Sequence, residues 1–149
     1  MKVKDVMQTN VITIRMDSEI KEIAKVLYDN QISGVPVIDL DGNLVGIVTE
    51  GDLIHKEANP QIPGVVGILG GLIYYHGVKQ YDSDLKKMIA SQASEIMTSD
   101  VVEIDKDVNI EDAATLMVSK KIKRLPVIEG GKIIGIVTRM DIIKTLIEE

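Results

Sequence analysis

The sequence predicts an α/β (α+β) protein built from one strand–helix–strand–strand–helix unit written twice. Three observations carry this. The stretch Gly42-Asn43-Leu44-Val45-Gly46-Ile47-Val48-Thr49-Glu50-Gly51-Asp52 returns as Gly131-Lys132-Ile133-Ile134-Gly135-Ile136-Val137-Thr138-Arg139-Met140-Asp141, with six of eleven positions identical and two more exchanging one aliphatic residue for another. A shift of 90 also lays Met7 on Met97, Thr9 on Ser99, Val11 on Val101, Ile14 on Ile104, Ile32 on Ile122 and Pro36 on Pro126. The offset becomes 89 after Asp39-Leu40-Asp41-Gly42, which is one residue longer than Glu129-Gly130-Gly131, and a hairpin tip is where a folded repeat best tolerates such a change. Within each copy, the apolar spacing switches between the periods of a strand and of a helix.

The elements follow in order. Val11-Ile12-Thr13-Ile14 reads as a short strand. Asp17-Ser18-Glu19 offers helix caps, and Ile20, Ile23, Ala24 and Leu27 then fall on one helical face. Val35-Pro36-Val37-Ile38 is a strand that carries proline near its start, where the missing N–H does least harm. Asp41-Gly42 turns the chain into Leu44 to Val48, completing a hairpin, and Asp52 opens a helix. The second copy repeats the plan. Val101 to Ile104 is the strand, and Ile110, Ala113, Ala114 and Met117 mark the helix. Leu125 to Ile128 and Lys132 to Val137 make the hairpin, with a last helix over Asp141 to Ile147. Met7 and Met97 begin the units as packing residues. The predicted boundaries are a first unit over 1–58, a connector over 59–93 and a second unit over 94–149.

Units of about 55 to 60 residues bury little core alone, so the two are expected to pack into one module. The connector is more than a plain linker. After the breaker-rich Asn59-Pro60-Gln61-Ile62-Pro63-Gly64, it carries Ile68, Leu69, Leu72, Ile73, Tyr74 and Tyr75, apolar surface that should be covered by the module or by a second copy. The run from Ile62 to Val78 has 17 residues, the bottom of the membrane-spanning range, and contains Pro63, five glycines and His76, which points away from a membrane span.

A net charge of -6 argues against a general nucleic-acid binder, which needs a basic face to displace counterions. With no cysteine, disulfide frameworks and cysteine-based metal or catalytic sites are excluded, and a reducing, cytoplasmic setting fits. No signal-peptide pattern follows Met1. His55 and His76 have no second ligand at metal spacing, and neither a nucleophile elbow nor a Walker-type loop appears. Asp39, Asp41 and Glu129 read as solvated turn residues.

Each copy ends on Thr-x-x-Asp, a hydroxyl and a carboxylate just past a strand. Taken with the repeated G-x-x-x-G, with Ser33-Gly34-Val35-Pro36-Val37 and with Arg124-Leu125-Pro126-Val127, the pattern resembles the tandem CBS domain pair, or Bateman module. The likeness covers both repeats and leaves the connector outside. It implies two units packed with pseudo-twofold symmetry, and an adenosyl ligand such as AMP, ADP, ATP or S-adenosylmethionine held in clefts between them. Asp52 and Asp141 are placed to accept ribose hydroxyls, and a helix N-terminus with its Thr hydroxyl favours phosphate. The resemblance further implies that Thr138 and Asp141 face Ile12, Ile32 and Gly34, with Ser33 in the same stretch, and that Thr49 and Asp52 face Val102, Ile122 and Arg124. The plainer explanation of the two aspartates is that they act only as helix N-caps.

The copies differ in charge: Lys120-Lys121-Ile122-Lys123-Arg124 stands where the first has Asn30-Gln31-Ile32-Ser33-Gly34. Lys120 and Lys121 suit a helix C-terminus, whereas Lys123 and Arg124 lie where the resemblance places phosphate contacts, and a guanidinium fork fits phosphate. The expected protein is a regulatory adenine-nucleotide sensor rather than an enzyme, with no catalytic cofactor and Mg²⁺ arriving only with ATP. The resemblance adds a disc-shaped homodimer and a downstream protein that reads the change. The alternatives are a sensor of S-adenosylmethionine or another adenosyl ligand, and a ligand-free assembly module.

Overall fold

Apolar spacing starts and stops the elements largely where expected. The computed structural model describes residues 1–57 and 90–148. Along the chain these form α1 (Val3–Val6), β1 (Ile14–Arg15), α2 (Ile20–Asn30), β2 (Gly34–Ile38), β3 (Leu44–Thr49), α3 (Glu50–Glu57), α4 (Ala93–Ile96), α5 (Ile110–Lys120), β4 (Arg124–Glu129), β5 (Lys132–Thr138) and α6 (Arg139–Glu148). One sheet has the order β1-β2-β3, and β4 pairs with β5 in a second. Mixed helices and small sheets make this an α+β fold. The apolar connector around Ile68, Leu69, Leu72 and Ile73 lies outside the described residues.

Both long helices end the same way. Gln31 and Lys121 take left-handed φ angles of 52° and 55°, and the next amides, Ile32 N and Ile122 N, donate back to Leu27 O and Met117 O at 3.1 and 3.0 Å. This Schellman-type closure satisfies orphan carbonyls and sends the chain sharply toward β2 or β4. The starts differ from expectation. Glu19 and Asn109 stand at the N-cap positions without a side-chain cap bond. The Ser18 hydroxyl is buried and instead accepts from Arg15 N at 3.0 Å. On α2, Ile23 and Leu27 are buried, but Ala24 is exposed.

The strands expected at Val11–Ile14 and Val101–Ile104 shrink to β1 and to one parallel bridge between Ile104 and Val127. The compact units explain the first case. Residues Met1–Thr13, Ile38–Val45 and Ser99–Glu149 form one unit; Ile14–Val37 and the described residues between Gly46 and Thr98 form the other. The chain thus leaves one unit at Thr13, and only the end of the predicted strand reaches the first sheet.

The short segment that opens each repeat therefore fills the core built by the other repeat. Val3 is fully buried in a cluster with Ile104, Ile110, Ala113, Met117, Leu125, Val127 and Val137, with Val6 and Met7 packed against it. Val3 N and Lys4 N donate to Val108 O and Lys106 O, both at 2.9 Å, and Lys4 pairs with Asp107 at 2.9 Å. The hydrogen bond from Lys4 holds the Asp107 carboxyl below its ordinary value. In the second unit, Ala93 N reaches Ser18 O at 2.9 Å, and Ala93 and Ile96 are buried.

The second glycine of each G-x-x-x-G is where these segments dock. A Cβ on Gly135 would stand 2.5 Å from Met7 Sδ and 3.2 Å from Gln8 O; one on Gly46 would stand 2.5 Å from Met97 Sδ and 3.0 Å from Thr98 O. Only a bare Cα lets the methionine and the backbone beside it lie so close. At the first hairpin tip, Asp39 is more than a solvated residue. Its carboxylate accepts from Asp41 N and Asn43 N, each at 2.9 Å, and the bond from Asn43 lowers its pKa. Glu129, in the second tip, pairs with Lys106 at 2.7 Å.

Candidate functional site

The two Thr-x-x-Asp turns fold as capping boxes. Each helix starts earlier than the sequence suggests, at Glu50 and Arg139, so the threonine takes the N-cap position and the aspartate sits three residues inside. Asp52 Oδ2 accepts from Thr49 N at 2.9 Å and from Thr49 Oγ1 at 3.1 Å, while Asp52 N donates a longer bond of 3.4 Å to Thr49 Oγ1. Asp141 and Thr138 repeat this at 2.8, 2.9 and 3.4 Å. This corrects the reading of the aspartates as N-caps: Thr caps, and Asp closes the box from the third position. The reason is geometric, since an extended Thr at the strand end can already accept from the first turn. The box engages Oδ2 in both copies and leaves Oδ1 outside it.

The stretch before each hairpin comes alongside its own box. Glu50 N donates to Ser33 O at 2.9 Å, and Arg139 N donates to Lys123 O at 3.2 Å. An antiparallel pair brings its two ends together, and in β4–β5 the register sets Arg124 opposite Thr138. The twelve predicted residues divide accordingly. Ile32, Ser33, Gly34, Thr49 and Asp52 lie in one compact unit; Ile12, Val102, Ile122, Lys123, Arg124, Thr138 and Asp141 lie in the other. Ile12 does share a unit with Thr138 and Asp141, but Ile32 and Gly34 do not. Val102, Ile122 and Arg124 share a compact unit with Asp141. Asp52 and Gly34 are buried, Ile12 and Lys123 are exposed, and the other eight are half-buried.

One residue that the motif reading missed enters the second site. Gln8 Nε2 donates to Asp141 Oδ1 at 3.0 Å and to Oδ2 at 3.3 Å. The available signal was its place beside Met7, opposite Thr98 in the repeat register.

An open groove of about 810 Å³ runs between α2 and α3, lined by residues that include Tyr28, Ile32, Ser33, Leu53 and Ile54. Ile32 and Ser33, two of the predicted site residues, are in its lining, as is Glu50 beside Thr49. Among the described residues, no group of three or more His, Cys, Asp or Glu could hold a metal ion. No described helix is long and apolar enough to cross a membrane.

Comparison with known proteins identifies the family of this fold. The CBS domain family matches residues 3–59 and 93–148. The uncharacterized protein MJ1426 of Methanocaldococcus jannaschii is 34% identical over 155 residues, covering 99% of this chain and 92% of that protein. The crystal structure of CBSX2 from Arabidopsis thaliana in complex with AMP superposes with a TM-score of 0.75 at 25% identity, over 99% of this chain and 96% of the other. The CBS domain pair of protein MJ0100, in complex with 5-methylthioadenosine and S-adenosyl-L-methionine, gives 0.71 at 25% identity, over 99% and 97%.

Proposed function

The chain belongs to the CBS domain family as a tandem pair, and from this premise we propose that it is a regulatory module that binds an adenine nucleotide at its Thr-x-x-Asp turns. The observation that carries the reading is the duplicated box. Each box uses one carboxylate oxygen at the helix start and so fixes the orientation of the side chain, which presents its Oδ1 edge to a ribose diol. The positive end of the helix dipole at each turn favours phosphate. Arg124, opposite Thr138, adds a guanidinium on that side of the second box. The residues proposed to hold the ligand are Thr49, Asp52, Val102, Ile122, Lys123, Arg124, Ile12, Ile32, Ser33, Gly34, Thr138 and Asp141. Both relatives solved with ligands hold adenosyl compounds, which supports this class.

Signalling follows from differential affinity: a ligand that binds one arrangement of the module better shifts the population toward it, and a partner protein reads the shift. The role needs no catalytic step and no cofactor, and Mg²⁺ enters only as a companion of ATP. A second copy of the chain covers the apolar side chains that the helices leave in solvent, among them Tyr28, Ile54, Val118, Met140 and Leu146. Light scattering should then report twice the monomer mass.

S-adenosylmethionine is the second reading, favoured by the MJ0100 pair. Titration calorimetry with AMP, ADP, ATP and S-adenosylmethionine separates the two. Tightest binding by a phosphate-bearing ligand is the expected result, and absence of heat with all four would reduce the module to an assembly role.

A further inference from the structure

We propose that Gln8 is an intramolecular occupant of the Asp141 site, so that a ligand binds there only by displacing its side-chain amide. The inference rests on the ribose reading above and deepens it. The box takes Asp141 Oδ2 through Thr138 N and Oγ1, which leaves Oδ1 as the oxygen best able to accept from a diol. Gln8 Nε2 lies 3.0 Å from that oxygen and 3.3 Å from Oδ2, along the edge that two ribose hydroxyls would use.

The amide is delivered there by a fixed backbone. Gln8 N donates to Ile136 O and Ile136 N donates to Gln8 O, both at 2.9 Å, while Met7 lies against Gly135. Ligand entry therefore needs only a rotation of the Gln8 side chain, with the segment behind it kept in place. The first repeat has the same bridge: Thr98 N donates to Ile47 O at 2.9 Å and Ile47 N to Thr98 O at 3.0 Å. There the side chain is a short hydroxyl in place of a long amide. The two turns thus share one backbone plan, and the second carries a long amide on it.

An exposed amide–carboxylate bond weakens a competing ligand by about three- to tenfold. The test titrates AMP into the full chain by calorimetry. In an Asp52→Asn background, which reports the Asp141 site, Gln8→Ala should tighten AMP by about three- to tenfold. In an Asp141→Asn background, Thr98→Gln should weaken AMP at the Asp52 site by a similar factor. Weaker binding on Gln8→Ala would make Gln8 a ligand contact, unchanged binding would make it a bystander, and either overturns the proposal while the ribose reading stands. If the unsubstituted chain and every variant give no heat with AMP, ATP or S-adenosylmethionine, the ribose reading itself fails and takes this proposal with it.

Discussion

Asp52 and Asp141 close the same box with the threonine three residues earlier, but their surroundings differ. Asp52 is 6% exposed, whereas Asp141 is half-buried and accepts from Gln8. At the entry to the hairpin the first repeat has Gly34 and the second Arg124, which lies across the strand pair from Thr138. The part held in common is local and backbone-directed, because a strand that feeds a helix must satisfy the first amides whatever binds nearby. The divergent part is the ring of side chains brought in from elsewhere. Two copies can therefore keep one scaffold and still answer differently to a ligand.

The largest effect should come from the carboxylates. Asp→Asn keeps an acceptor for the threonine amide, so the fold should survive while the charge-assisted bond to ribose is lost, a cost of about 1.5–3 kcal/mol in affinity at the Asp52 site. The loss at Asp141 should be smaller, because ligand there first displaces Gln8. Calorimetry on the two single variants checks both values, and equal losses would erase the contrast between the sites.

Next come the docking glycines. Gly46→Ala and Gly135→Ala each force a methyl group onto a methionine sulfur and should destabilise by about 1–3 kcal/mol in urea unfolding. Gly46→Ala should be the worse of the two, since its Cβ would also stand 3.0 Å from a carbonyl oxygen, against 3.2 Å at Gly135. Restoring space with Met97→Ala or Met7→Ala should recover part of the loss. A neutral result would show that the methionines swing aside at no cost.

Arg124→Ala sharpens the comparison on the phosphate side. AMP should weaken by about tenfold, while adenosine, which presents no anion, stays nearly unchanged. Equal losses for both would mean that Arg124 acts through packing.

The smallest effect concerns the segment that carries Gln8. Lys4 holds the Asp107 carboxyl below its ordinary value, so the folded state binds that proton less readily than the unfolded chain. The pair's contribution is present above the unfolded carboxyl pKa and disappears as pH falls through the lower folded one. Asp107→Asn should therefore flatten the acid limb of the stability curve slightly, and both groups are exposed enough for salt to mute the difference.

Much of this was legible from one dimension. The repeated eleven-residue stretch announced the hairpins, the glycine turns and both Thr-x-x-Asp pairs, because hairpin register and helix capping depend on residues a few positions apart. That Ser33 lies beside Glu50, and Arg124 opposite Thr138, follows from the same antiparallel logic. The true helix starts at Glu50 and Arg139 were harder to see, since Thr and Asp are both favoured caps and only the distances choose between them.

By itself the sequence determined what short-range chemistry controls: two copies of one unit, their helices and hairpins, and a hydroxyl–carboxylate pair at each strand end. Only the tertiary structure decided that residues 1–13 complete the core of the second repeat, that Gly46 and Gly135 are bare because Met97 and Met7 lie against them, and that Gln8 reaches Asp141 across 133 positions of chain. Those contacts join residues whose separation carries no periodic signal. They form because each repeat alone leaves apolar surface uncovered, and the burial that covers it brings distant segments within hydrogen-bonding reach.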